Sequence, residues 1–197
     1  MTRFGQSIGK YLFLPGVLFV CLIIFITPIQ GKTILTKNQT TEYMDKISEY
    51  EMKNVTNPTY GSTGGEWLIM GLARYGTLTE SYCARYLENL KEEVESRKGI
   101  PSETKYTEYA RVVLALTSIN ETPENFAGYN LLKPLSELDH VLKSGLNGAV
   151  FSLLAFDCGN YDIPDAKNDY TGRKSTREKL ISVLLTAQLE DGGWANM

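Results

Sequence analysis

The sequence predicts an all-α protein built from helix pairs in two concentric layers. Three observations carry that expectation. Three apolar stretches recur at near-constant spacing, each with a Leu-Ala pair whose alanines are Ala73, Ala115 and Ala155, 42 and 40 residues apart. Amphipathic stretches lie between them, and no strand-like alternation runs longer than four residues. A fixed period of this length is the signature of a repeat built from one supersecondary unit.

The chain has 197 residues, 43% hydrophobic and 22% charged, which describes a folded domain and argues against disorder. Net charge is -3 with pI near 5.3, so a nucleic-acid partner, which needs a basic face, is not expected. Arg3 and Lys10 are the only charged residues among 1–31, so residues 32–197 carry a net charge of -5. Residues 12–29 are almost wholly apolar behind those two basic residues. That layout predicts a secretory signal or an N-terminal membrane anchor over 1–31, with membrane contact through 11–29 if the leader is retained. Residues 32–40 read as a linker and 41–197 as the repeat domain, facing the outside of the cell.

Within 41–197 the elements follow in order. Tyr43, Ile47 and Tyr50 make a weak helical stripe. The stretch from Gly65 to Gly76 is apolar nearly all round, as are those from Thr107 to Asn120 and from Leu146 to Gly159; such helices must be covered on both sides. Tyr82, Tyr86, Leu90 and Val94 recur every four residues, with Glu88, Lys91, Glu92 and Glu95 on the opposite face, an outer helix with one wet side. Leu135 to Lys143 reads as a short helix entered by Pro134, and residues 177–189 as another outer helix with the stripe Leu180, Leu184 and Ala187. Each inner stretch ends in Gly or Asn, which tolerate the left-handed conformation that stops a helix. Thr63-x-x-Glu66, Thr77-x-x-Glu80 and Ser175-x-x-Glu178 each match a capping box. Residues 160–175 make the longest loop.

Cysteine and histidine usage limits the chemistry. Outside the leader, which holds Cys21, only Cys83 and Cys158 remain; they read as two small buried thiols, with a single disulfide as the alternative. His140 is the only histidine, so neither a His-centred relay nor a histidine-rich metal site is expected. No metal and no cofactor are predicted.

The final segment reads Gln188-Leu-Glu-Asp-Gly-Gly-Trp, in which Asp191, Gly192 and Gly193 turn the chain and Trp194 can close the preceding helix end against the Gln188 amide. It resembles the Gln-x-x-x-Gly-x-Trp repeat of the squalene-cyclase and prenyltransferase superfamily. With the repeat of about 40 residues, this resemblance implies an α/α toroid over 41–197. The phrases Asn57-Pro-Thr-Tyr-Gly, Gly64-Gly-Glu-Trp, Lys105-Tyr-Thr-Glu-Tyr-Ala-Arg, Gly145-Leu-Asn-Gly and Phe156-Asp-Cys-Gly-Asn-Tyr are similar to exported Gram-positive bacterial surface proteins carrying such repeats. Toroids of the superfamily have five or six helix pairs. This chain supplies 41–76, 80–120 and 134–159 plus one outer helix, about three and a half, which predicts a fragment of a longer protein.

The resemblance also defines what is missing. The cyclases protonate their substrates with Asp-x-Asp-Asp, which this chain lacks, and Asp157, Cys158 and His140 do not match the spacing of the prenyltransferase zinc ligands. The expected role is therefore binding: an exported, non-catalytic toroid for a small hydrophobic or amphipathic ligand or a surface protein. The alternatives are the N-terminal half of a terpenoid-cyclase-like enzyme and a structural spacer. The inner helices open with Glu66-Trp67, Glu108-Tyr109 and Asn147, which predicts one polar and aromatic pocket rim made of these five residues. The alternative is that both glutamates favour positive helix ends while Trp67 and Tyr109 fill core. Arg74 and Arg111 are expected to pair with acids across a repeat.

Overall fold

In the computed structural model residues 35–62, 64–99, 102 and 104–195 are described. The leader and residues 32–34 of the expected linker lie outside them, and residues 37–40 of that segment are helical rather than linker. The chain divides into two compact units, Met1–Tyr43 and Met44–Met197. The described residues of the first unit open helix α1 (Lys37–Asn54). Thr36 and Gln39 cap that start reciprocally: the Gln39 N–H donates to the Thr36 hydroxyl at 3.3 Å, and the Thr36 N–H to Gln39 Oε1 at 2.9 Å.

The second unit is all-helical among the described residues. It contains α2 (Glu66–Tyr75), α3 (Glu80–Ser96), α4 (Tyr106–Ser118), α5 (Leu138–Val141), α6 (Gly145–Cys158) and α7 (Arg177–Thr186), with tight single turns at Pro123–Asn125, Lys133–Ser136 and Leu142–Ser144. All three predicted inner helices form, and they are neighbours in space: α4 packs against α2 on one side and α6 on the other, and α6 against α7. One apolar cluster joins them. Ile69 and Leu72 of α2, Val112, Val113 and Leu116 of α4, and Ala149, Ala155 and Phe156 of α6 are buried in it. Helix α3 adds its predicted stripe, Tyr82, Tyr86, Leu90 and Val94, all buried. The run Leu138–Cys158 is long and apolar enough to cross a membrane by composition alone, a property shared with core segments.

The structure departs from the sequence reading at several points. Helix α3 is capped by Thr79, whose Oγ accepts from the Tyr82 N–H at 3.3 Å, and not by Thr77. The Thr77 and Leu78 N–H groups are still bonded to the Leu72 carbonyl, so the new helix begins after them. Helix α7 is capped by Thr176 and not by Ser175, whose buried hydroxyl instead donates to the Leu135 carbonyl at 2.8 Å. That bond and the Ser175 N–H to Ser136 carbonyl bond tie the end of the 160–175 loop to the third repeat. The predicted 135–143 helix is broken into turns around α5. The left-handed residues after α2, α4 and α6 are Gly76, Asn120 and Asn160, the last one position beyond Gly159.

Burial corrects three further expectations. The weak α1 stripe is exposed at Tyr43, Ile47 and Tyr50. Helix α6 is not covered all round: Val150 is 38% exposed and Leu154 48%. At the equivalent repeat positions Ala110 and Leu72 are buried and Leu68 and Leu114 half-buried. Cys83 and Cys158 are unbonded, and Cys158, the last residue of α6, is exposed.

Candidate functional site

The five predicted rim residues do not share one rim. Glu66 and Glu108 lie in the first turns of α2 and α4, and the packing of those helices brings their carboxylates together. Trp67 follows Glu66 by one residue, about 100° around the helix. It therefore faces away, half exposed, with its ring edge against Phe151 at 6.1 Å. Tyr109 is buried in the core and stacks on Tyr106 at 5.6 Å. Asn147 is exposed and belongs to a different place, described below. By the Leu-Ala register, Gly148 and not Asn147 occupies the position of Glu66 and Glu108. A side chain there has no room, since a Cβ would stand 2.0 Å from the Val141 carbonyl oxygen.

The glutamate pair forms a buried polar node. Glu66 is 2% exposed, and its Oε1 accepts the Gly61 N–H at 3.0 Å, while Oε2 is buried and unpartnered. The loop approaches α2 closely because Gly65 has no side chain; a Cβ there would lie 2.4 Å from the Thr59 carbonyl oxygen. Tyr60 donates its hydroxyl to Glu108 Oε2, and Arg111 Nη2 stands 3.7 Å from Glu108 Oε1. Arg111 thus stands beside Glu108 of its own helix and also acts on Glu66 across the repeat, and Arg74 is exposed. The Arg97 guanidinium lies 5.9 Å from the Tyr60 ring centre. From α3, Tyr86 is wholly buried with its hydroxyl unpartnered, as is Arg111 Nε.

Burial sets the electrostatics of this node. Desolvation raises the Glu66 carboxyl above the usual glutamate range, and the Glu108 charge raises it further, against the lowering effects of the Gly61 N–H and of Arg111. The Tyr60 phenol is pushed far up by burial and then by its bond to Glu108. Tyr86 is raised by burial and by Glu66. Sequence reasoning marked both glutamates but assigned Tyr86 to the core stripe alone and gave Tyr60 no role.

The second place is an apolar groove of about 360 Å³ between α6 and α7, lined by Leu146, Asn147, Val150, Leu184, Trp194 and Ala195. A second lobe of about 380 Å³ is lined by Leu146, Ser182, Val183, Thr186 and Ala187. The terminal motif builds one wall. Gln188 Nε2 donates to the Gly192 carbonyl, the Asp191 carboxylate accepts the Gly193 N–H, and the Leu189 N–H donates to the Gly193 carbonyl, each at 2.9 Å. Gly192 turns the chain with φ +84°. The Trp194 indole N–H then reaches the Leu184 carbonyl at 2.7 Å, a second donor to an acceptor at the end of α7 that also takes the Ala187 N–H at 3.2 Å. Trp194 closes the helix end as expected, through its N–H rather than through the Gln188 amide. It remains 52% exposed, and Ile181, Leu185 and Leu189 make a second exposed stripe outside the predicted one.

His140 lies in a third cluster. Its Nδ1 is 2.7 Å from Glu137 Oε2, and its ring lies between Tyr106 at 5.5 Å and Tyr170 at 5.2 Å. Beside it, Asp139 accepts from the Arg173 backbone and side chain and from the Tyr170 hydroxyl, pinning the 160–175 loop. Among the described residues no three His, Cys, Asp or Glu side chains are grouped to hold a metal ion.

No protein-family model, curated protein or solved structure matches the chain.

Proposed function

We propose that residues 41–197 are successive outer-inner helix pairs of an α/α toroid displayed outside a bacterial cell, and that this domain binds a small hydrophobic or amphipathic ligand. The binding surface is the groove between α6, α7 and Trp194. The observation that carries this reading is the lining itself. Five apolar side chains and one amide, Asn147, line about 360 Å³, within the range of small-molecule sites. An apolar chain would lie against Leu146, Val150, Leu184 and Trp194, and Asn147 would orient a hydrogen-bonding head. Charged side chains are absent from both lobes among the described lining residues, which favours an uncharged ligand.

The toroid arrangement draws support from the order of packing, α2 on α4 on α6, and from the closure of α7 by the Gln188-to-Trp194 turn. Export rests on the apolar leader and on the resemblance to surface proteins. The test is a titration of the full chain with Nile red, an uncharged dye that brightens in apolar sites, beside the Val150→Arg variant. The reading expects saturable binding that the charge at position 150 weakens at least tenfold. Equal binding by both proteins would reject the groove. Export is checked in the producing cells with a membrane-impermeant maleimide, since the exposed Cys158 thiol should label before lysis.

A further inference from the structure

Two carboxylates from different repeats hold one loop. Glu66 Oε1 takes the Gly61 N–H and Glu108 Oε2 takes the Tyr60 hydroxyl, so residues 60–61 are fixed to α2 and α4 together. The two carboxylates are not equally supplied. Glu108 has a phenol donor and a guanidinium nearby, and its side chain is 17% exposed. Glu66 has one backbone donor, an unpartnered buried Oε2 and almost no contact with solvent. Every titratable or charged group near it is accounted for. Tyr60 comes from the loop, Glu108 and Arg111 from α4, Tyr86 and the neighbouring Cys83 from α3, and Arg97 from just beyond α3. Arg111 is the cation that acts on Glu66, and it stands 3.7 Å from Glu108.

We infer that Glu66 is a proton-operated clasp: one proton taken up on its buried carboxyl tightens the 60–61 loop onto α2 and α4, and loss of that proton loosens it. The uptake is a simple protonation from solvent. It takes the charge off a buried carboxyl whose Oε2 has no donor and removes the repulsion between Glu66 and Glu108, effects that outweigh the weaker bond a neutral carboxyl accepts from the Gly61 N–H.

The direction follows from linkage. Burial raises the Glu66 carboxyl in the folded chain, so the folded state holds this proton more tightly than the unfolded state. The stabilisation is complete below the ordinary glutamate range near about pH 4.3 and is lost as pH rises through the higher folded value. A domain outside the cell would hold its loop more firmly in an acidified medium than in a neutral one.

The test uses the full chain in mild detergent, with Glu66→Gln as the permanent mimic of the protonated side chain and Glu108→Gln as the control. Thermal unfolding is followed by circular dichroism from acid to neutral pH. Relative to E66Q, the wild-type midpoint should fall as pH rises, by about 3–5 °C for each tenfold difference in proton affinity between folded and unfolded chains. E66Q should melt higher than wild type at neutral pH, whereas E108Q, which gives Tyr60 a neutral acceptor in place of a charged one, should melt lower. A difference between the two midpoints that does not change with pH, or an E66Q protein less stable than wild type at neutral pH, overturns the clasp. If E66Q does not fold, exchange of the Gly61 amide in wild type decides. Its protection factor, corrected for intrinsic rate, should rise at least threefold on acidification; an unchanged factor overturns the proposal.

Discussion

Glu66 of α2 and Glu108 of α4 grip adjacent residues of a single loop, Gly61 through its N–H and Tyr60 through its hydroxyl. The repeat therefore does more than stack helices. It brings equivalent positions of two units to one point, and the preceding loop is anchored there. The third unit has Gly148 at that position and presses directly on the Val141 carbonyl instead.

Removing the Tyr60 hydroxyl should cost more than an exposed hydrogen bond. Tyr60→Phe leaves Glu108 Oε2 without its donor at a largely buried position, and a deserted buried acceptor typically costs about 1–3 kcal/mol. Urea unfolding of the variant should show a loss of that size. The cation–π contact of Arg97 with the ring should persist, so Tyr60→Ala should cost still more.

Gly148→Ala tests the close approach in the third unit. The added methyl would stand 2.0 Å from a carbonyl oxygen on the backbone, which cannot swing aside as a side chain can. Overpacking of this kind costs about 1–3 kcal/mol. Gly71→Ala is the matched control: a Cβ there meets nothing within 4 Å, and in mid-helix α2 the change should be neutral or stabilising.

Asp139 should give the opposite pH dependence from Glu66. The Arg173 N–H, the Arg173 side chain and the Tyr170 hydroxyl hold its carboxyl below the usual aspartate range. A lowered acid contributes stability above its unfolded value, about 3.9, and loses it as pH falls through the folded value. Limited proteolysis reads this locally: the 160–175 loop should resist cleavage at neutral pH in wild type and be cut several-fold faster in Asp139→Asn. Equal rates would mean that the Ser175 and Leu138 backbone bonds hold the loop unaided.

Much of the helical framework was legible because burial imposes periodicity. The stripe Tyr82, Tyr86, Leu90 and Val94 is buried residue for residue, and the three Leu-Ala stretches are the three mutually packed helices. Caps were less legible, because Ser, Thr and Glu have competing uses. Ser175 serves a cross-repeat bond, and Thr77 is held by the closing turn of α2. The sites were half legible. The spacing found Glu66 and Glu108, but a one-residue offset on a helix turns a side chain by about 100°, which separated Trp67 and Asn147 from them. Tyr60 stood in a phrase that carried the resemblance, Asn57-Pro-Thr-Tyr-Gly, but nothing there marked its role, which depends on which loop crosses the helix ends. The groove depends on which apolar side chains stay uncovered, and Val150 and Leu154 read like the covered residues of α4.

The central claim, that the face formed by α6, α7 and the terminal turn is a binding site, is tested most directly at Trp194. The chain has two tryptophans, and Trp67→Phe leaves Trp194 as the sole reporter, inside the groove. Its emission should be recorded in the full-length W67F chain during titration with an uncharged monoacylglycerol below its aggregation threshold. The account predicts a saturable blue shift, weakened at least tenfold by a further Val150→Arg change. Emission that stays constant, or shifts identically with arginine at position 150, would contradict it.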